Sequence, residues 1–362
     1  MVTVLIAGGG TGGHVFPMVA VGDAVRACDA RAEVVYVGTA RGLEAKVVPD
    51  RGDHLELMDV LPLRGGGLRG FVAGLQRAAA SLPEARALVK RLAPTIVLSV
   101  GGYAAGPVSL AARMGGVPVA ILEPNSVLGL ANRLLAPLAR RAYVAFPEVE
   151  RLFRPSVVLR SGVPLRKAFA RVAYTPREGA LRVLVLGGSL GAKALNETVP
   201  QAVALCAKGA TSLEVVHQTG RGREDEVRAL YDALGVGDRA TVAPFIDDVA
   251  AALAAADVVI QRSGASSVAE LCAIGRPAIL IPFPFAAGDH QLGNARSLER
   301  SGGAIAIPQA EATPLRIAAE LERLGRDPGL RVRMAAAAAE RGLPDAARRI
   351  AADLLDLARR AS

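Results

Sequence analysis

The sequence contains no tryptophan, and only 4% of its 362 residues are aromatic. Proteins that bind single-stranded nucleic acid stack bases on aromatic side chains in a basic groove, so the net charge of +9 does not by itself indicate such a partner. Nucleotide phosphates and an anionic membrane surface also suit a basic chain. Because 51% of the residues are hydrophobic, a disordered chain is excluded and a globular one is predicted.

Cysteine pairs and acidic metal-binding motifs are missing as well. Cys28, Cys206 and Cys272 are far apart and form no CxxC pair, so neither a disulfide framework nor a zinc site is predicted. This cysteine usage fits a reducing cytoplasm. No Asp-x-Asp occurs in the chain. We therefore predict that the protein uses no metal ion and no cofactor.

Long apolar runs are the third absence. Pro, Arg or Asp interrupts every candidate before it reaches the roughly 18 to 20 residues that span a bilayer. Residues 1–7 carry no basic region and run directly into glycines, so they are predicted as a β-strand and not as a signal peptide. We expect a chain that can lie on a membrane but does not cross one.

Short β-branched runs alternate with longer Ala, Leu and Arg segments of helical period. This pattern is typical of βαβ units on a parallel sheet, and 362 residues exceed what one hydrophobic core usually organises. The opening run VTVLIAGGGTGG returns as LRVLVLGGSLGA from residue 181, so each half begins with a strand, a glycine turn and a helix. We predict an α/β protein with two Rossmann-like domains of six strands each. The predicted strands are 2–7, 33–37, 54–57, 96–99, 117–122 and 142–145, then 182–186, 213–218, 240–243, 258–261, 278–281 and 304–307.

The predicted domain boundary lies near residues 160–166, where Gly162 and Pro164 interrupt the periodicity after a short strand at 157–159. We predict an N-terminal domain of residues 1–162 and a C-terminal domain of residues 163–342. A last helix within 343–362 is expected to return to the N-terminal domain. Ligands of parallel sheets bind at the carboxyl ends of the strands, so we expect the binding residues to line a cleft between two facing domains.

Residues 8–14, GGGTGGH, form the first glycine turn. Glycines let backbone N–H groups approach a diphosphate at a helix N-terminus, where the helix dipole favours negative charge. The spacing also fits the GxGxxG of dinucleotide sites, but the second predicted strand leads into Gly38 and Thr39 and lacks the acidic residue that holds a ribose. A dehydrogenase is therefore disfavoured, and His14 beside the turn is a candidate site residue.

Polar residues also follow other predicted strands. Glu123, Asn125 and Asn132 suit hydrogen bonding to sugar hydroxyls, and a carboxylate one turn into a helix, as at Glu270, can bind both hydroxyls of a ribose. Structural alternatives stay open, because tight turns and helix caps use the same residue types, and Ser267 with Glu270 fits a capping box. The further turns of this kind lie at 101–107, 187–192, 262–270 and 282–294.

Five motifs, taken in order, carry a resemblance to a known family. They are GGGTGGHVFP at 8–17, GGYAAGP at 101–107, ExNSVxGLxN at 123–132, GGSLGA at 187–192 with a downstream Asn, and RSGASSxAE at 262–270 followed by DHQLxNA at 289–295. Over nearly its whole length the chain resembles the MurG family of glycosyltransferase family 28. The resemblance implies the glycosyltransferase B fold, with the donor nucleotide mostly in the C-terminal domain and a lipid acceptor on the N-terminal domain.

The resemblance also implies roles for individual residues. Thr11, Gly12 and Gly13 would contact phosphates of the donor or the acceptor, and Asn125 would hold the sugar. The other predicted contacts with UDP-N-acetylglucosamine (UDP-GlcNAc) are Arg166, Ser189, Ile246, Ala265, Ser266, Ser267, Val268, Ala269, Glu270 on the ribose, and Gln291 at the donor sugar. The further polar positions that match the family are His14, Tyr103, Glu123, Asn132, Asn196 and Arg262. Many relatives carry a His where this chain has Leu122, so any role of that His is absent here.

The implied reaction moves N-acetylglucosamine, with inversion, from UDP-GlcNAc to the 4-hydroxyl of undecaprenyl-pyrophosphoryl-N-acetylmuramyl-pentapeptide. That step belongs to peptidoglycan synthesis, and so to cell shape and division, and is carried out by a peripheral enzyme on the cytoplasmic face of the cell membrane. His14 is the first candidate for the general base, because an unperturbed imidazole titrates near the working pH, and Glu123 is the second. Residues 64–91 mix apolar and basic side chains and would either rest on anionic lipid or form an ordinary amphipathic helix.

Two other interpretations stay open at the level of the sequence. Another two-lobed UDP-sugar enzyme, either a glycosyltransferase with a soluble acceptor or a UDP-GlcNAc 2-epimerase, would share the architecture but lack the GGTGGH and GGYAAGP pair. A basic protein that binds nucleic acid would show steep salt dependence and no dependence on UDP. We predict no nucleic-acid partner.

Overall fold

The computed structural model describes residues 1–60, 80–166, 168–188, 191–209 and 211–361. The chain divides into two compact units. The N-terminal unit comprises Met1–Arg166 and Pro344–Ser362, and the C-terminal unit comprises Lys167–Leu343. The last helix of the chain therefore belongs to the N-terminal unit.

The N-terminal unit is built on a sheet of seven parallel strands in the order β3-β2-β1-β4-β5-β6-β7. The sequence pattern predicts six strands for this half. The seventh is the short run at 157–159, which we placed at the domain boundary but which pairs with β6 as part of the sheet. The strands are β1 (Thr3–Gly8), β2 (Glu33–Gly38), β3 (Leu55–Leu57), β4 (Ile96–Gly101), β5 (Val119–Glu123), β6 (Arg141–Val144) and β7 (Val158–Arg160).

In the described residues of the C-terminal unit, six parallel strands form a sheet in the order β10-β9-β8-β11-β12-β13, and this number agrees with the prediction. The strands are β8 (Leu181–Leu186), β9 (Leu213–Gln218), β10 (Ala240–Ala243), β11 (Val258–Gln261), β12 (Ala278–Leu280) and β13 (Ala304–Ala306).

Helices follow most of the strands, as βαβ units require. The N-terminal unit contains α1 (Gly12–Cys28), the single turn α2 (Glu44–Val47), α3 (Leu82–Leu92), α4 (Ala105–Met114) and α5 (Leu130–Leu135). The C-terminal unit contains α6 (Lys193–Cys206), α7 (Glu224–Ala233), α8 (Val249–Ala255), α9 (Ala265–Ile274), α10 (His290–Arg300), α11 (Pro314–Arg326) and α12 (Pro328–Glu340). The chain ends in α13 (Ala346–Ala361), which packs in the N-terminal unit. In the described part of the chain, no helix is both long and apolar enough to cross a membrane.

Strand β1 packs against helices on both faces of the N-terminal sheet. All six of its residues are buried, and successive side chains point to opposite faces of the sheet. Val4 and Ile6 belong to the hydrophobic cluster that includes α1 and α13, whereas Leu5 and Ala7 belong to the one that includes α3 and α4. A parallel sheet covered by helices on both faces needs this continuous apolar run instead of an alternating one.

Helix α13 is fixed to its unit by charge as well as by apolar packing. Asp353 accepts two hydrogen bonds from the Arg141 guanidinium, at 2.8 and 2.9 Å, and one from the Tyr143 hydroxyl at 2.8 Å. Burial, followed by the Asp353 charge, raises the pKa of Tyr143 well above its usual value. Near the end of the helix, Arg359 donates to Asp29, which follows α1, at 2.8 Å.

Each sheet has one point where the strand order reverses. In the N-terminal unit β1 lies between β2 and β4, and in the C-terminal unit β8 lies between β9 and β11. The loops that follow the two central strands turn away from each other at such a point and leave a crevice at their carboxyl ends, where α/β proteins bind ligands. The candidate site residues of each unit are therefore expected beside β1 and β4 and beside β8 and β11.

Candidate functional site

Two glycine turns meet at the carboxyl ends of β1 and β4. A Cβ added at Gly102 would lie 2.6 Å from the carbonyl oxygen of Gly9, and Gly102 has a φ of +93°. Only glycine therefore fits at this position, both for space and for backbone conformation. The first turn leads into α1 at Thr11, whose carbonyl accepts hydrogen bonds from the N–H groups of His14 and Val15 at 3.0 and 3.1 Å.

His14 lies against the second of these turns. A Cβ added at Gly101 would lie 3.3 Å from His14 Nε2 and 3.6 Å from Asn132 Nδ2, so the imidazole and the amide approach the same glycine. His14 is half-buried, while Thr11 and Gly13 are exposed, as is Tyr103, which shows 40% of its surface. The residues of the first two motifs are thus grouped at one end of the sheet.

Glu123, at the end of β5, is a buried carboxylate that is surrounded by hydrogen-bond donors. It accepts from the Asn125 N–H at 3.1 Å, the Asn125 amide at 3.4 Å, the Gly129 N–H at 3.0 Å and the Asn132 amide at 3.1 Å. Only 2% of its surface is exposed, and burial raises its pKa although these four hydrogen bonds oppose the shift. Glu123 thus fixes the loop between β5 and α5.

Asn132 links this loop to the neighbouring strand. Its Oδ1 accepts a hydrogen bond from the Ser99 hydroxyl of β4 at 2.9 Å, and its Nδ2 also donates to the Leu122 carbonyl at 3.1 Å. Both polar ends of the amide are therefore used inside the protein, and Asn132 is only 1% exposed. Asn125 is half-buried and is therefore more accessible than Glu123 and Asn132.

Glu44, the first residue of α2, is a residue of this site that none of the sequence motifs includes. Its carboxylate is completely buried and accepts a hydrogen bond from the Gly10 N–H at 2.7 Å. The signal that could have identified it is an acidic residue soon after β2 that is flanked by Gly38 and Gly42, each of which leaves room for the carboxylate.

In the C-terminal unit, the glycine turn after β8 packs against the end of β9. The Gly188 carbonyl accepts a hydrogen bond from the Gln218 amide at 2.9 Å, and a Cβ at Gly191 would overlap the Thr219 carbonyl. The predicted contact Ser189 lies outside the described residues. The neighbouring parts of this turn are therefore held by backbone contacts that depend on glycine.

Asn196 of α6 binds Thr219, whose carbonyl lies against Gly191 of this turn. Its Nδ2 donates to the Thr219 carbonyl at 3.0 Å, and its Oδ1 lies 3.2 Å from His217 Nε2. The other ring nitrogen of His217 lies 3.1 Å from the Tyr231 hydroxyl. Burial lowers the pKa of His217 to about 4, so this chain of buried side chains is uncharged at neutral pH.

Helix α9 begins directly after β11 and presents its N-terminus at the same edge of the sheet. Gly264 is the N-cap residue and does not cap with a side chain, so the first N–H groups of the helix are not bonded by it. The Ser266 hydroxyl is buried without a hydrogen-bond partner among the described residues. The capping box that Ser267 and Glu270 could form is not present, because the N-cap position is Gly264 and Ser267 lies inside the helix. Glu270 follows on α9 and is half-buried.

Gln291 connects the ends of β11 and β12. Its Oε1 accepts hydrogen bonds from the Ser263 N–H at 3.3 Å and the Phe283 N–H at 3.0 Å, and its backbone carbonyl accepts from the Ser263 hydroxyl at 2.8 Å. The two N–H donors fix which end of the amide is the oxygen. The Nε2 end is left to donate to another group.

Arg262 anchors the loop that follows β12. Its guanidinium donates to the Ile281 carbonyl at 3.0 Å, the Pro282 carbonyl at 3.2 Å and the Gln309 side chain at 2.7 Å, and burial lowers its pKa. Arg262 also lies over the Phe283 ring, 5.6 Å from its centre. These contacts use the side chain within the protein, so Arg262 positions the loop that contains Phe283.

The predicted contacts Ala265, Val268 and Ala269 lie on α9, and Gly12 begins α1. Two further predicted contacts lie at other points of the chain. Ile246 is half-buried in the connection between β10 and α8, and Arg166 is the exposed last residue of the first segment of the N-terminal unit. Among the residues that the structure describes, no three His, Cys, Asp or Glu side chains are grouped so that they could hold a metal ion.

Comparisons with known proteins agree over the length of the chain. The N-terminal domain model of glycosyltransferase family 28 matches residues 4–144, and its C-terminal domain model matches residues 182–350. The UDP-N-acetylglucosamine--N-acetylmuramyl-(pentapeptide) pyrophosphoryl-undecaprenol N-acetylglucosamine transferase of Sorangium cellulosum is 69% identical over 99% of this chain and 89% of its own length. The protein of the same name in Acidithiobacillus ferrooxidans is 43% identical over 98% of both.

A solved structure supports the same relationship. The crystal structure of Acinetobacter baumannii MurG has a TM-score of 0.83 and 31% identity, and the match covers 98% of this chain and 100% of that one. The prediction of an α/β protein with two Rossmann-like domains is confirmed by this likeness and by the two parallel sheets. The chain is a glycosyltransferase that belongs to family 28, within the MurG group of that family.

Proposed function

We propose that the protein transfers N-acetylglucosamine from UDP-GlcNAc to the 4-hydroxyl of undecaprenyl-pyrophosphoryl-N-acetylmuramyl-pentapeptide, with inversion at the anomeric carbon. The observation that carries the proposal is the identity of 69%, over 99% of the chain, to a relative whose name states this donor and this acceptor. The glycine turns at both switch points support it, because each unit then has a place for a phosphate group.

The C-terminal unit is proposed to bind the donor. The first backbone N–H groups of α9 have no partner within the helix itself and receive no side-chain cap from Gly264. The Ser266 hydroxyl in the same first turn is buried without a hydrogen-bond partner among the described residues. Such groups would stabilise the negative charge that develops on the leaving UDP, as fixed donors in a site do. Glu270 would bind the ribose hydroxyls, Gln291 would donate its Nε2 to the donor sugar, and Ile246 would contact the uracil.

The N-terminal unit is proposed to bind the acceptor, with its phosphates at Thr11, Gly12 and Gly13. His14 is the proposed general base, since its half-buried imidazole lies beside both glycine turns of the crevice. Glu123, our second candidate for the base, is better suited to positioning. Its oxygens already accept four hydrogen bonds and are closed to solvent, so a substrate hydroxyl would have to displace these donors.

The reaction is proposed to need neither a metal ion nor a cofactor. Backbone amides, helix dipoles and Arg166 would supply the positive potential at the departing diphosphate. Full transfer by protein that has been stripped of metal and assayed in EDTA supports this part. Loss of activity in EDTA that a divalent cation restores would contradict it and would leave the donor and acceptor assignments in place.

We further propose that the protein binds the cytoplasmic face of the cell membrane as a peripheral protein. The segment predicted to contact lipid is residues 64–91, and its first part, residues 64–79, lies outside the described residues. Most of its remaining part belongs to α3, which exposes Arg86 and Lys90. The adjacent α4 exposes Leu110 and Met114. Basic and apolar side chains on neighbouring helices suit an anionic lipid surface.

The test of the proposed function is release of UDP from UDP-GlcNAc with and without the lipid acceptor. We expect release that depends on the lipid acceptor and on its free 4-hydroxyl. A UDP-GlcNAc 2-epimerase would act on the donor alone, and a glycosyltransferase with a soluble acceptor would release UDP equally well with a muramyl sugar that carries no lipid. Either result would overturn the proposal. A role in peptidoglycan synthesis and cell division predicts that depletion of the protein causes loss of cell shape.

A further inference from the structure

Glu44 lies beneath the first glycine turn and is enclosed by it. Its Oε2 accepts the hydrogen bond from the Gly10 N–H at 2.7 Å, and its Oε1 accepts from the N–H and the hydroxyl of Thr39 at 2.9 and 3.1 Å. A Cβ at Gly9, Gly38 or Gly42 would overlap the Glu44 side chain. Three glycines therefore make room for one carboxylate.

The backbone of Gly10 is held from both sides by this part of the chain. Its N–H donates to the Glu44 carboxylate, and its carbonyl accepts from the N–H of Leu43 at 3.2 Å. Gly10 has a φ of +96°. Because glycine can adopt many backbone conformations, this turn needs contacts that hold it in this one. A hydrogen bond to a charged acceptor is stronger than one between neutral groups, so the carboxylate holds the turn better than an amide would.

We propose that Glu44 is a positioning residue for the acceptor, an inference that rests on the proposed function of the N-terminal unit. By binding the Gly10 N–H, the carboxylate removes that group from the anion site and fixes the turn so that the N–H groups of Thr11, Gly12 and Gly13 remain for the acceptor phosphates. Glu44 does not touch the substrate, because it is completely buried.

The same geometry argues against a dinucleotide at this turn. Dinucleotide sites use an acidic residue near the end of the second strand to bind the ribose hydroxyls. Here a carboxylate does lie near the end of β2, but its oxygens face Gly10 and Thr39 and none of its surface reaches solvent. It therefore holds the protein's own backbone in place of a ligand.

The test compares E44Q with E33Q. The control E33Q changes the exposed carboxylate of Glu33, which is the first residue of β2. In E44Q the side-chain NH2 meets either the Gly10 N–H or the Thr39 donors, so one of these contacts is lost. We expect the KM for the lipid acceptor to rise about tenfold or more, while the KM for UDP-GlcNAc and the Kd for UDP stay within about twofold. The Gly10 amide should also exchange faster with deuterium. A merely structural role would lower the active fraction and leave the acceptor KM unchanged.

Two outcomes would overturn the inference. If the wild-type protein shows acceptor-dependent UDP release and folded E44Q has the same acceptor KM as E33Q, Glu44 does not position the acceptor site. If E44Q does not fold, T39V replaces it, because it removes one donor to the carboxylate and keeps the shape of the side chain. An unchanged acceptor KM in T39V then contradicts the inference, and an increase of about threefold supports it. Absence of acceptor-dependent release in the wild-type protein would instead overturn the proposed function.

Discussion

Asn132 donates a hydrogen bond to the Glu123 carboxylate across 3.1 Å, and both side chains are almost fully buried. The pair connects β5 to α5, and through the Ser99 hydroxyl it also connects to β4. A buried carboxylate that loses one of its donors is less well compensated for its burial, so this contact helps to hold the loop that contains Asn125. Its counterpart in the other unit is Asn196, which joins α6 to the loop after β9.

Substitution of these two asparagines is predicted to affect different substrates. N132L removes the acceptor of the Ser99 hydroxyl and one of the four hydrogen bonds to the Glu123 carboxylate, and we expect the acceptor kcat/KM to fall about tenfold or more with an unchanged Kd for UDP. N196L removes the contacts of Asn196 with Thr219 and His217, and we expect weaker UDP binding with a smaller change in the acceptor KM. Steady-state kinetics and calorimetry with UDP check both variants, each serving as the control for the other. Equal effects of the two variants on both substrates would contradict the separate assignments.

The buried His217 predicts a pH dependence of stability. Its folded pKa of about 4 is below the value of about 6.5 expected for an unfolded His, so the unfolded state binds more protons between these values. The stability is fully present above about pH 6.5 and is lost as the pH falls towards 4, at about 1.4 kcal/mol per pH unit from this group.

Urea unfolding at several pH values checks this prediction, with circular dichroism as the signal because the chain has no tryptophan. H217Q should lose the corresponding part of the slope between pH 6.5 and 4, while H54Q, which changes an exposed His, should keep it. If wild-type protein and H217Q show the same slope, His217 is not held neutral by burial.

Gln291 predicts a way to separate recognition of the sugar from recognition of the nucleotide. Q291E keeps an oxygen that can accept from the Ser263 and Phe283 N–H groups, but it replaces the Nε2 donor with a second acceptor. We expect the affinity for UDP-GlcNAc to fall about tenfold and the affinity for UDP to change less than about twofold. Calorimetry with the two ligands provides the measurement. An equal loss for both ligands would mean that Gln291 acts only through the loop that it holds.

The exposed bases of α3 predict binding to anionic lipid. Reversing two charges in the variant with R86E and K90E should lower the partition onto vesicles that contain phosphatidylglycerol about tenfold or more, since each base near the surface contributes about 1 kcal/mol. The matched control combines K208E with R228E, which makes the same charge change on the C-terminal unit. Co-sedimentation that falls equally for both pairs, or for neither, would contradict a lipid-binding face at α3.

Much of the fold could be predicted from local sequence. Strands such as β11 (Val258–Gln261) are β-branched runs bounded by charged residues, and the prediction agrees with the structure at both ends. The seventh strand of the N-terminal sheet was recognised as a short strand but not as a member of that sheet. The reason is that a run of three residues such as β7 carries no information about its partner.

The candidate site was less predictable, because side-chain direction depends on packing between distant segments. The sequence places Glu123 at a strand end, but only the folded loop shows that Asn125, Gly129 and Asn132 all donate to it. Glu44 was missed because a single helical turn has no periodicity and its partner Gly10 is 34 residues away. In both cases a carboxylate that could bind a ligand is used to hold the protein's own backbone.

The identity of the transferred group and its point of attachment distinguish the proposed reaction from the alternatives. Purified protein is incubated with UDP-GlcNAc and undecaprenyl-pyrophosphoryl-N-acetylmuramyl-pentapeptide, and the lipid product is analysed by mass spectrometry and proton NMR. We predict one added N-acetylhexosamine, joined through a β-linkage to the 4-hydroxyl of the muramyl sugar. Recovery of the lipid without an added sugar, or with an α-linkage, would contradict the proposed reaction.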